Sequence, residues 1–184
     1  MNDPRIRQMA EVLVNYSTRV KKGDVVLISA AGIEAIPLVK ELYRLCLAKG
    51  ARYVEYEFSL PEITRHFYNT ASRQQLTHFP QHKLDFMQEV TVYIGIGAPD
   101  NSMVMAQANQ ASMIAYSRVT RPIVDCRVKT TRWVVTRFPT HGGAQEAKMS
   151  LEEFEDYVFS ACCIDWQADR TRLLSRSFDL HAKT

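Results

Sequence analysis

No apolar run in the 184 residues approaches the roughly 18 positions that a membrane-crossing helix needs. The first twenty residues carry Asp3, Pro4, Arg5, Arg7 and Glu11, and no apolar stretch among them suits a secretory core. These absences set two expectations: no membrane partner, and a cytoplasmic location. Cysteine is sparse. Cys46, Cys126, Cys162 and Cys163 show no zinc-type pairing. Cys162 and Cys163 are adjacent, so on a helix they point about 100° apart and suit buried free thiols in a reducing compartment better than chelation of one ion. There is no H-E-x-x-H metal helix and no G-x-S-x-G nucleophile turn.

Charge of one sign is also lacking. Lys and Arg number 23 against 20 Asp and Glu, a formal net charge of +3. The basic series Arg118, Arg121, Arg127, Lys129, Arg132 and Arg137 straddles an expected helix–strand junction, so its members need not face one way. A solvated surface is expected there, and no nucleic-acid partner.

What is present is a regular alternation of helix and strand signals. Asp3 as cap and Pro4 at the first helical position open a helix with Ile6, Met9, Ala10, Leu13 and Val14 on one face, expected to end near Lys21-Lys22-Gly23. Asp24 to Ser29 reads as a strand, Glu34 to Lys49 as a helix closed by Gly50, and Tyr53 to Phe58 as a second strand. Short helices are expected over Pro61 to Thr70, Ser72 to Thr77 and Gln81 to Glu89, then a strand over Val90 to Gly97. A helix over Gln107 to Thr120 should stop ahead of Pro122, and Trp133 to Phe138 should form a fourth strand. Ser150 and Glu153 have capping-box spacing and begin a helix, whose Glu152, Glu153, Glu155 and Asp156 read as a solvated acidic face. The fold class is therefore α/β: a three-layer domain over residues 1–164 with a mostly parallel sheet of about four or more strands, its order left open, followed by a helical tail over 165–184.

Ligands of open parallel sheets favour the carboxyl ends of strands. Three such ends carry glycine-containing turns. Gly95-Ile96-Gly97 has Asp100 where a dinucleotide fingerprint wants its third glycine, and Ala30-Ala31-Gly32 lacks a phosphate-loop ending, so plain turns are expected at both. Pro139, Thr140, His141, Gly142 and Gly143 form the third, a loop with two glycines and a histidine that can serve as acid, base or ligand; these five are the candidate cleft-lining residues. His78 and His82 have the spacing of two metal ligands on a helix, but Pro80 lies between them and no carboxylate completes the set. His66 and His181 stand alone. No catalytic and no metal-ligating residue is identified in this chain.

Longer phrases carry a resemblance. Leu13-Val14-Asn15-Tyr16-Ser17, followed by Val20-Lys21-Lys22-Gly23-Asp24-Val25-Val26-Leu27-Ile28, resembles the opening of the thermophilic metalloaminopeptidases, the aminopeptidase T and aminopeptidase S group. Arg132 to Val135, Phe138-Pro139-Thr140, Ala144 to Ala147, Met149-Ser150 and Glu152 to Tyr157 are similar to that family's later stretch, as are Cys162 and Asp165-Trp166. His141-Gly142-Gly143 fills a stretch that matches no fixed family pattern. The resemblance implies an exopeptidase acting on a peptide substrate with two divalent metal ions (zinc, cobalt or magnesium), which polarise the scissile carbonyl and generate hydroxide. It also implies a homo-oligomer, such as a homodimer. The family's metal ligands belong to a carboxyl-terminal half, so this chain would be the amino-terminal domain of a truncated enzyme, holding no cofactor and inactive alone. The alternative is a free-standing binding or interaction module derived from that domain.

Overall fold

A computed structural model describes residues 3–101, 103–164 and 166. The helical tail expected over 165–184 lies outside the described residues, apart from Trp166. Asp3 caps α1 (Pro4–Glu11) by accepting from the Arg5 amide at 2.8 Å. The helix widens to a π turn over Val12–Ser17 and stops there, short of the expected Lys21-Lys22-Gly23. The stop is made by Thr18, which is fully buried: its amide and hydroxyl both donate to the Leu13 carbonyl, at 3.0 and 2.8 Å.

The chain then alternates through β1 (Val25–Ala31), a 3₁₀ turn (Ile33–Ala35), α2 (Ile36–Ala48), β2 (Tyr53–Ser59), α3 (Pro61–Thr70), α4 (Arg73–Thr77), α5 (Gln81–Glu89) and β3 (Val92–Gly97). It ends with α6 (Gln110–Thr130), β4 (Arg132–Arg137), α7 (His141–Ala147) and α8 (Leu151–Cys162). All strand pairs are parallel, in the order β2-β1-β3-β4. The expected α/β class and parallel sheet are therefore present.

Period-two alternation decides the layers. Val26, Ile28 and Ala30 of β1 and Val92, Ile94 and Ile96 of β3 pack with Met9, Leu13, Leu38, Leu42 and Phe159, so α1, α2 and α8 cover that face. Val25, Leu27 and Tyr93 point the other way, onto Met87 and Val90, with Ile123 and Cys126 of α6 against them. The central strands are buried on both faces, which is why they read as near-continuous apolar runs.

One boundary differs sharply from the sequence expectation: α6 runs straight through Pro122 to Thr130. A proline forfeits one backbone bond, but tertiary contacts made beyond it hold the helix. Ile123 and Cys126 pack on the Val25–Leu27 cluster, and the Arg127 guanidinium lies over the Tyr93 ring, 4.7 Å from its centre. The start also moves, to Gln110, because Asn109 caps it by accepting from Ser112 at 3.0 Å.

Ser150 and Glu153 make the expected reciprocal capping box on α8. The acidic run that follows is not simply solvated. Glu155 and Asp156 bind Arg5 at 2.8 and 2.6 Å, and Arg5 lies 4.8 Å from the Phe159 ring centre, clasping α8 to α1. At the amino ends of the strands, Asp24 gathers three donors. Arg132 reaches it at 2.6 Å, the Lys21 amide at 2.8 Å and the Thr91 hydroxyl at 2.9 Å. This cluster ties together the starts of β1, β3 and β4.

Candidate functional site at the carboxyl ends of the strands

Where β1, β3 and β4 end, the backbone closes on itself. The Ala98 amide donates to the Ala31 carbonyl at 2.7 Å, and Phe138 to Gly97 at 2.9 Å. Gly32, at φ 109°, lies so near Ala98 that an added Cβ would sit 1.9 Å from its carbonyl oxygen. The turns expected after β1 and β3 are present, with Ala30 and Ala31 still inside β1, and among the described residues no helix opens between Gly97 and Gln110. At the first of these turns backbone packs directly on backbone, Gly32 against Ala98.

The Pro139–Gly143 segment is not the loop that two glycines suggest. Thr140 is the N-cap of α7: its hydroxyl accepts from the Gly143 amide at 3.1 Å and donates to the Pro99 carbonyl at 2.6 Å. His141 begins the helix itself. The glycines serve close packing. A Cβ on Gly142 would meet the Asp100 carbonyl oxygen at 2.1 Å, and one on Gly143 would meet the Phe154 ring at 2.7 Å. Pro139, Thr140, Gly142 and Gly143 are buried, and His141 alone of the five is exposed.

The remaining histidines stay apart. His78 caps the end of α4 while His82 lies inside α5, with Pro80 as the N-cap between them. His66 is exposed on α3, and His181 lies outside the described residues. Among the described residues no group of three His, Cys, Asp or Glu side chains could hold a metal ion. No described helix is long and apolar enough to cross a membrane.

Cys46 is buried, and that burial, reinforced by the Asp24 charge, pushes its thiol up to about 12, so it stays protonated at neutral pH. Cys126, Cys162 and Cys163 are free and half-buried rather than fully buried. Burial, with Cys162 beside it, also raises the Cys163 thiol. Of the basic series, Arg121 pairs with Asp125, Arg132 with Asp24 and Arg137 with Glu146, while Arg127 stacks on Tyr93.

A concavity that sequence patterns did not point to lies between the outer part of β2 and α5. Its volume is about 670 Å³, with Leu27 and Phe86 on its floor and Tyr53, Glu55, Glu57 and Lys83 around it. Its carboxylates are already engaged: Ser29 donates to Glu57 at 2.8 Å, and the Tyr53 hydroxyl donates to Glu55, which raises the Tyr53 pKa. The alternation in Tyr53-Val54-Glu55-Tyr56-Glu57 puts both glutamates on one face, a signal legible in sequence. The position of α5 beside them was not.

Comparison with known proteins decides what this scaffold belongs to. The family model described as thermophilic metalloprotease (M29) matches residues 2–173. The chain belongs to the M29 family. It is 21% identical over 164 residues to aminopeptidase 2 of Geobacillus stearothermophilus, covering 83% of this chain and 39% of that protein. The solved structure of wild-type AmpT from Thermus thermophilus matches with a TM-score of 0.69 and 19% identity, covering 87% of this chain and 43% of that one. At that identity the structural likeness speaks for the fold. The chain thus spans less than half the length of these M29-family relatives.

Proposed function

We propose that this chain is the amino-terminal α/β portion of a metal-dependent aminopeptidase, an enzyme that removes amino-terminal residues from peptides. In this reading it supplies scaffold and one wall of the substrate cleft. The observation that carries it is the family match over residues 2–173 in a chain covering 39% and 43% of two relatives. The resemblance of Leu13-Val14-Asn15-Tyr16-Ser17 and Val20 to Ile28 to the family's opening supports reading the chain as the amino-terminal side.

Two divalent ions, zinc, cobalt or magnesium, would polarise the scissile carbonyl and supply hydroxide in the complete enzyme. The residues described here do not fit such a pair, since no three ligand-type side chains converge. No step of hydrolysis is therefore assigned to this chain. Its contribution to the cleft would come from His141, the exposed member of the Pro139–Gly143 segment, presented at the carboxyl end of β4 by a buried, hydrogen-bonded turn. Free thiols at all four cysteines suit a reducing compartment such as the cytoplasm.

The test is turnover of an aminoacyl chromogenic substrate by the purified 184-residue chain in the presence of cobalt. The expected result is no release above the protein-free control. Cobalt-dependent turnover that scales with protein concentration would overturn the reading.

A further inference from the structure

Beside the larger concavity lies a smaller one of about 270 Å³, set between the sheet, α5 and α6. Leu27 of β1 and Tyr93 of β3 form its sheet side, and Phe86 and Met87 of α5 face them. The α6 wall is a single helical stripe, Tyr116, Thr120, Ile123, Val124 and Arg127, at the three- and four-residue spacing of one helix face. The walls are thus mostly apolar, with one cation, Arg127, whose guanidinium lies over the Tyr93 ring.

Arg127 differs from its neighbours in the basic series. Arg121, Arg132 and Arg137 each hold a carboxylate, whereas Arg127 forms no ion pair among the described residues. Among those residues its Nε is also the buried side-chain nitrogen or oxygen that has no hydrogen-bond partner. Tyr93 engages the cation through its ring and gives Nε no acceptor atom. A buried donor on a charged group is costly to leave unmade, so a guest that brings an acceptor has something to gain here.

We propose that this cavity is a binding site for a small apolar carboxylate, its carboxylate on Arg127 and its apolar body between Leu27, Phe86, Met87 and Ile123. An ionised acceptor matches a guanidinium in both charge and geometry. The competing charge in the lining is Glu57. It belongs to β2, two strands from Tyr93, which places it at least about 10 Å away at the backbone, and its carboxylate already accepts from Ser29 at 2.8 Å. Lys83 lines the same shared wall as Glu57 and offsets its repulsion of an anion. The volume lies just below the roughly 300–1,000 Å³ of drug-sized sites, so the guest is fragment-sized.

Isothermal titration of the 184-residue chain with phenylacetate tests this, with phenylacetamide as the uncharged probe of the same shape. The carboxylate should bind saturably, one per chain. The amide should bind at least about tenfold more weakly, the factor expected for losing a hydrogen bond between charged groups. Arg127→Gln should weaken phenylacetate to the level of the amide, and Arg127→Lys should restore part of the loss. Lys129→Gln removes a cation of the same helix outside the lining and should leave binding within about twofold. Because Arg127 also helps to hold the end of α6, Thr120→Phe gives an independent reading. It fills the cavity, keeps the cation, and should abolish binding while the circular dichroism stays that of the parent. No saturable binding of phenylacetate, equal binding of the amide, or a loss on Lys129→Gln as large as that on Arg127→Gln would overturn the proposal. So would phenylacetate binding that Thr120→Phe leaves intact.

Discussion

Asp24→Ala should lower the unfolding free energy by about 3 kcal/mol, the lower part of the range for breaking a buried ion pair. The Asp24 side chain is 5% exposed, whereas Arg132 is 37% exposed, and the exposed partner recovers some hydration when the pair is lost. The substitution also strips an acceptor from the Thr91 hydroxyl and the Lys21 amide, donors at the junction of β1 and β3. The same cluster sets a pH dependence. Burial pushes the Asp24 pKa up, but the Lys21 amide, the Arg132 guanidinium and the Thr91 hydroxyl outweigh it and hold the pKa below the usual carboxylate value. A depressed folded-state pKa contributes stability that is fully present above the unfolded carboxylate value, about 4, and is lost as pH falls through the folded value. Chemical denaturation at neutral pH should show the full difference between parent and variant. Below about pH 4 the difference should begin to shrink, and it should go on shrinking as pH falls through the lower folded value. A difference that stays constant down to the acid limit would show that the carboxylate's charge is not what matters.

Closure of the strand ends predicts an effect at least as large. Gly32→Ala places a methyl 1.9 Å from the Ala98 carbonyl oxygen, on backbone held at φ 109°. The obstacle is main chain, itself fixed by the Ala98 amide bond to Ala31, so it cannot swing aside as a side chain would. Strain in that φ region and forced separation together cost about 4 kcal/mol. Gly142→Ala meets the Asp100 carbonyl at 2.1 Å and should destabilise by a similar mechanism without the φ strain, hence by less. Melting temperatures of the two variants check the ranking. A Gly32→Ala protein that melts with the parent would mean that the rim is looser than this packing, and a ligand-sized gap there would become tenable.

The parts of the fold that were legible in sequence are those fixed by neighbours along the chain. The span of α5 follows from Pro80 before it and apolar spacing within it. The capping boxes at Ser72 and Ser150 are reciprocal, with Gln75 and Glu153 returning the bond. The misread boundaries are those settled by distant residues. α6 passes Pro122 because Ile123, Cys126 and Arg127 find β1 and β3 to pack on. The Pro139–Gly143 segment reads as a loop because Gly-Gly disfavours helix on intrinsic grounds. It is helical all the same, capped by Thr140, and Asp100 and Phe154 leave no room there for side chains larger than glycine's. The signal for α7 was nonetheless present: Thr140 occupies a cap position with the receiving amide three residues on. Strand order, and with it the placing of the two sheet edges, depends on how the crossovers wind and has no local signature.

The site was legible mainly as a question. The glycine turns and the acidic run on α8 have structural explanations in packing, capping or the Arg5 clasp, and the described histidines do not converge. The chain belongs to the M29 family, yet among the described residues no metal-binding group assembles. The proposed reading is therefore a division of labour, in which this chain holds the fold and a metal pair would be held by residues other than those described here. Its most direct measurement is metal stoichiometry, by equilibrium dialysis of the purified 184-residue chain against zinc and cobalt, with melting temperature followed in parallel. A ligand that binds only the folded state at a hundred times its dissociation constant adds about 2.7 kcal/mol of stability, so a genuine site would be visible in the melt. The account predicts no stoichiometric retention and an unchanged melting temperature. Two ions retained per chain, with a matching rise in melting temperature, would contradict it.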